Sequence, residues 1–262
     1  MILGIDASNI RVGGGVTHLA ELLRAAEPRA HGFEQVIIWG GQRILSQIEE
    51  RPWLVKSYQT LLDRNLPYRT FWQRFKLSKL AQRAACDLLY VPGGSSAGDF
   101  RPMVTMSRNM LPYEWREMIR YGLSWLTVKY WLLRLTQSSG LRRADGVIFL
   151  TRYAQEAVTR VTGLLRGQAT IVPHGIDNRF VCAPRSQRML EDYSADNPFR
   201  FLYVSIVDVY KHQWNVAEAV ARLRAKGFPV ALDLIGRCLL YTSPSPRGLR
   251  RISYAVFCLK KK

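Results

Sequence analysis

No stretch of this sequence approaches the ~20 consecutive apolar residues that a membrane-crossing helix requires. The opening MILGIDASN has no basic flank, and Asp6 interrupts its apolar run, so a cleaved leader is not expected. Cysteine is scarce. The four cysteines, at 86, 182, 238 and 258, show no metal-like spacing, which argues against a disulfide framework and for a reducing compartment. Acidic residues are also few, 20 against 38 Lys and Arg, for a net charge of +18. Seven of those positive charges fall in residues 237–262, which contain no acid, leaving +11 on residues 1–236. An excess of this size suits an anionic substrate or an anionic membrane surface. No nucleic-acid motif accompanies it, so nucleic acid is not expected as a partner.

What is present is an alternation of short apolar runs and amphipathic stretches, with 48% apolar residues available for a core. Residues 2–7 read as a parallel strand, Gly13, Gly14 and Gly15 as a turn, and 16–26 as a helix with Leu19, Leu22 and Leu23 on one face. Strand, glycine-rich turn and helix together aim free backbone N–H groups at a phosphate. A plain tight turn is the alternative, because the spacing is not G-x-G-x-x-G. Further strands are expected at 36–39, 53–58, 88–91, 103–106, 146–150 and 170–172, and helices at 44–49, 68–85 and 153–161. The helix at 68–85 is expected to turn Phe71, Phe75 and Leu80 inward and its arginines and lysines to water. Residues 113–136 carry Trp115, Trp125 and Trp131 among leucines and arginines. Two readings exist for this stretch: a long helix packed across the sheet with its tryptophans in the core, which is preferred, or a basic helix lying on a membrane.

The stretch 170–211 organises the rest. A β-branched run at 170–172 is stopped by Pro173 and Gly175 in TIVPHGIDNRF. Turn formers at 194–198 precede a second apolar run, 201–206, then Lys211, a helix at 213–226 and a strand at 230–235, which together make a βαβ unit. IVPHGIDNRF followed by FLYVSIVDVYKH resembles the domain junction of GT-B glycosyltransferases, specifically the retaining family 4 that uses nucleotide-sugar donors. The fold class expected is therefore α/β: a Rossmann-like parallel-sheet acceptor domain at 1–180, a linker at 181–198, and an incomplete second Rossmann-like domain at 199–236. The resemblance implies that Gly13, Gly14, Gly15 and Lys211 bind the donor phosphates. It places Arg108, Asn109, Thr151 and His174 at the acceptor side of a cleft. Asn109 can hydrogen-bond a sugar hydroxyl but cannot act as a base, which suits a retaining reaction. The arginine that the family usually carries just after the second-domain strand is absent here.

Residues 237–262 show no helix or strand period, and CLLYTSPSPR resembles translated sequencing-adapter read-through, so this tail is expected to be non-native. The resemblance implies sugar transfer from a nucleotide-diphosphate donor to a glycan or lipid-linked acceptor, with no metal or other cofactor. It also implies a cytoplasmic location with peripheral contact at the inner membrane face. The chain itself is expected to be inactive. The alternatives are a basic, non-enzymatic binding module, and a single-domain Rossmann enzyme. Against the latter, Trp39-Gly-Gly41 stands where an acidic ribose-binding residue would follow the second strand.

Overall fold

The structure, a computed structural model, describes residues 1–11 and 13–236 and the backbone of Arg251–Ser253. Apart from those three residues, the 237–262 tail lies outside the described residues. By contact the chain divides into two compact units. One is Met1–Trp115 with Leu123–Gly175; the other is Arg116–Gly122 with Ile176–Lys262.

The first unit is built on strands β1 (Ile2–Asp6), β2 (Gln35–Gly40), β3 (Leu54–Tyr58), β4 (Leu88–Val91), β5 (Met103–Ser107), β6 (Gly146–Phe149) and β7 (Gln168–Ile171). They form one sheet in the order β3-β2-β1-β4-β5-β6-β7 with every pairing parallel. This is a Rossmann-like α/β arrangement. The order reverses between β1 and β4, and parallel crossovers are right-handed, so successive helices fall on opposite faces on the two sides of that point. Helices α1 (Gly14–Ala25) and α2 (Gln42–Leu45) cover one face. There Val16, Leu19 and Leu23 meet Ile5, Val36 and Ile38. Leu22, expected on the buried side of α1, is 41% exposed.

On the other face lie α3 (Leu66–Trp72) and α4 (Ser78–Arg83), joined by a π turn at Gln73–Leu77, and α7 (Arg152–Thr162). Trp72, Leu77, Ala81 and Val158 pack there with Trp39, Leu89 and Phe149. The inward face of the 66–83 segment is not the expected one: Phe71 and Phe75 are exposed. The π turn is the reason. Its wider pitch returns to the same side after five residues rather than four, so Trp72 and Leu77 share the buried line.

The helix expected over 113–136 is also corrected. A short helix α5 (Trp115–Met118) and a 3₁₀ turn (Ile119–Tyr121) end at Gly122, whose φ of +62° an L side chain rarely adopts. The long helix α6 (Trp125–Arg143) starts only after Ser124, which caps it by accepting from the Thr127 N–H. Its buried residues, Gln137, Ser138, Gly140 and Leu141, all lie in its last two turns. Trp115, Trp125 and Trp131 are exposed rather than in the core.

In the second unit, β8 (Phe199–Val204) and β9 (Val230–Ile235) pair in parallel around α8 (Gln213–Ala225), and β10 (Arg251–Ser253) pairs antiparallel with β9. Asp233, 8% exposed on β9, accepts a two-pronged contact from the Arg200 guanidinium on β8, Nε donating to Oδ2 and Nη2 to Oδ1, both at 3.0 Å.

Candidate functional site

Asp6 closes β1 and is 2% exposed. Its carboxylate accepts from the Ser8 N–H at 2.9 Å and from the Gln73 amide in the π turn. Burial raises the pKa of Asp6, and these hydrogen bonds pull it partly back. Two guanidinium groups pin the loop that follows. Arg69 donates to the Ser8 carbonyl and to Asn9 Oδ1, both at 3.2 Å. Arg11 donates to the carbonyls of Asp63 and Arg64.

Gly13, with φ of +72°, leads into α1, and no side chain caps the helix. Among the described residues, the first N–H groups of α1 therefore have no side-chain cap. Open space surrounds Gly14, but Gly15 has a close neighbour: a Cβ built there would lie 2.9 Å from Nη1 of Arg108. Arg108 comes from the loop after β5. It is half-buried, and its Nε finds no partner among the described residues. Burial lowers the Arg108 pKa, opposed by the nearby Tyr90 phenol. Tyr90 in turn is pushed up to about 12, mainly by burial.

One turn along α1, His18 meets His174 edge-on, with ring centroids 4.7 Å apart. His174 stands exposed after β7, and the Nε2 of His18 is buried without a partner among the described residues. Burial, then His174, then Arg108 lower the His18 pKa. A cavity of about 360 Å³ opens beside these rings, lined by His18, Leu22, Tyr90, Met106, Val172 and His174 among others. The arrangement joins uncapped backbone donors and a guanidinium, which suit an anion, to an apolar hollow.

The first unit thus brings Gly15, Arg108 and His174 around one turn of α1. Asn109 and Thr151 have local work. Asn109 Oδ1 accepts from the Leu111 N–H at 3.2 Å, and the Thr151 hydroxyl caps α7 by accepting from the Ala154 N–H at 3.0 Å. His18, Tyr90 and Gln73 went unremarked in the sequence. Only His18 left a signal there: three residues after Gly15, it shares that face of the helix.

Lys211 lies in the second unit, at the end of a 3₁₀ turn, Val209–Lys211, that opens α8. Its ammonium is 4.8 Å from the centroid of the Tyr210 ring, and its carbonyl accepts from the Tyr203 hydroxyl at 2.7 Å. Residues 116–122 hold the same turn. The Tyr121 hydroxyl donates to Asp208 at 2.7 Å, and Glu117 lies 2.9 Å from His212 Nε2. His212 itself takes a left-handed φ of +54°, and the Gln213 amide ties α8 back to the Ile206 carbonyl at 2.7 Å.

A family model, Glycosyltransferase Family 4, matches residues 12–180. No curated protein sequence matches the chain. Among solved structures, sucrose-phosphate synthase from Thermosynechococcus elongatus is similar with a TM-score of 0.52 at 12% identity, covering 90% of this chain and 70% of that one. The lipopolysaccharide outer core galactosyltransferase WaaB in its apo form gives 0.49 at 13% identity, over 89% of this chain and 67% of that one. S. aureus MnaA with UDP gives 0.43 at 15% identity, over 89% and 60%.

Proposed function

The chain belongs to glycosyltransferase family 4, and on that premise we propose that it serves transfer of a sugar from a nucleotide-diphosphate donor to a glycan or lipid-linked acceptor. The observation that carries the reading is the guanidinium of Arg108 against Gly15, where α1 begins with uncapped N–H groups. In the first unit, Gly13, Gly14 and Gly15 would hold a donor phosphate, joined by Arg108. The resemblance had assigned Arg108 to the acceptor side, and we reassign it because it lies against Gly15. His174 and the apolar hollow would bound the acceptor side. In the second unit, Lys211 would bind the diphosphate by charge and by its three donors. Positive charge and oriented N–H groups stabilise a departing nucleotide diphosphate without a protein base, and transfer is proposed to need no metal. The family match disfavours a non-enzymatic basic module.

The domain division proposed is 1–180, a linker at 181–198, and 199–236, with a cytoplasmic location peripheral to the inner membrane face. Residues 199–236 supply a single βαβ unit, so turnover by the 262-residue chain alone is expected to be negligible. The test is titration with inorganic pyrophosphate and nucleoside diphosphates, followed by calorimetry. Binding that weakens about tenfold or more in Arg108→Ala supports the site. Absent binding, or binding indifferent to that substitution, refutes it.

A further inference from the structure

Helix α6 presents an apolar outward face along its first three turns. Its last two turns bury Gln137, Ser138, Gly140 and Leu141. At about 100° per residue, that inward arc extended back along the helix takes in Thr127, Tyr130, Leu133 and Arg134, all half-buried, and Leu126, 41% exposed. The outward arc carries Trp125, Val128, Trp131, Leu132 and Leu135, exposed by 74%, 47%, 50%, 47% and 48%. Leu123, just before the helix, is also open to solvent. A helix that had only to cover a sheet would carry polar residues on this outward face. Contiguous apolar surface of this kind on a folded protein marks an interaction site.

The charges name the partner. Residues 123–143 contain no Asp or Glu, while Lys129, Arg134, Arg142 and Arg143 are all cationic. Lys129 flanks the stripe beside Trp125, is exposed, and has no ion pair among the described residues. Arg142 is exposed and continues the line of the stripe toward the carboxyl end. A second copy docking on the same face would oppose like charges, which is unfavourable. We propose that the outward stripe of α6 is the surface by which the protein lies on an anionic lipid bilayer. Trp125 and Trp131 sit at the headgroup level, where amphipathic rings are favoured, the aliphatic side chains dip below, and Lys129 and Arg142 meet the lipid anions. The helix lies in the plane of the interface. No helix of the described residues is long and apolar enough to cross it. This inference rests on the peripheral membrane location proposed above and names the surface that makes the contact; vesicle binding is read independently of pyrophosphate binding and of sugar transfer.

The test is sedimentation of the full 262-residue chain with vesicles of phosphatidylcholine alone or mixed with phosphatidylglycerol. The expected result is binding to the mixed vesicles only, weakened by salt, since surface attraction decays over a Debye length of about 8 Å at physiological ionic strength. The double variant Trp125→Ser/Trp131→Ser should lose about tenfold or more in partitioning with an unchanged melting curve. Lys129→Glu/Arg142→Glu should lose the preference for anionic vesicles. Wild-type protein that ignores both vesicles overturns the proposal. So does a double-tryptophan variant that binds as well as wild type, which would assign binding to the cations of residues 237–262. A wild-type dimer that the tryptophan variant dissolves overturns it in favour of self-association.

Discussion

Gly15→Ala separates what the glycine does for the fold from what it does for Arg108. Gly15 lies in the first turn of α1 with an ordinary helical φ, so alanine meets no backbone strain there. Alanine is favoured over glycine in a helix by about 0.5–1 kcal/mol. Against this, the new Cβ would stand 2.9 Å from Nη1 and 3.1 Å from Nη2 of Arg108. Those atoms end a flexible side chain and have only to retreat by a few tenths of an ångström, at a cost on the order of 0.5 kcal/mol. The net effect on stability is therefore between zero and about 0.5 kcal/mol in favour of the variant. For a chain of this size that is a rise of no more than roughly 1–2 °C in melting temperature. With Arg108→Ala already in place the clash is gone, so the alanine should show its full helix benefit. A double-mutant cycle by denaturant unfolding should then give a coupling of about 0.5 kcal/mol between the two positions. Pyrophosphate binding should fall in both single variants. A Gly15→Ala protein destabilised by more than about 1 kcal/mol, or a coupling of zero, would show that Arg108 does not rest against this glycine.

Thr151→Ala removes the cap of α7 and should cost about 1 kcal/mol in chemical unfolding, while Thr151→Ser restores it. If the Thr151 hydroxyl contacts the acceptor as well, the alanine variant will also weaken sugar binding and the serine variant will retain it. Because His18 is held below its usual 6.5, the unfolded chain takes up this proton first on acidification. Stability should therefore be fully present above pH 6.5 and fall as the pH drops from there through the lower folded value. His18→Gln should flatten that slope in pH-resolved melting curves, and an unaltered slope would contradict the placement of the ring between His174 and Arg108. Cys86, half-buried, has its thiol pushed up to about 11, first by burial and then by Asp87. At pH 8 about one molecule in a thousand carries the thiolate there, so peptide mapping after brief iodoacetamide treatment should find Cys182 alkylated and Cys86 nearly untouched.

By itself the sequence determined the strand and helix alternation and the glycine loop. Apolar runs bounded by turn formers report local structure directly: the strand expected at 230–235 matches β9 residue for residue, and that at 53–58 begins one residue before β3. The alternation pointed to an α/β fold with parallel strands, and the resemblance at 170–211 to its Rossmann-like class. Which face of a helix is buried was decided only in three dimensions, because burial depends on what lies across from the helix. Phe71 and Phe75 carry the apolar signal, yet a π turn, invisible to a fixed 3.6-residue period, gives the buried line to Trp72 and Leu77. The tryptophans of α6 read as core material, but only the last two turns of that helix reach the sheet, so Trp125 and Trp131 face outward. The meeting of Gly15 with Arg108, of His18 with His174, and of Glu117 and Tyr121 with the turn carrying Lys211 joins residues far apart in the chain. Such contacts follow from the order in which strands enter a sheet and the turns between them, and no local pattern of residues encodes that order.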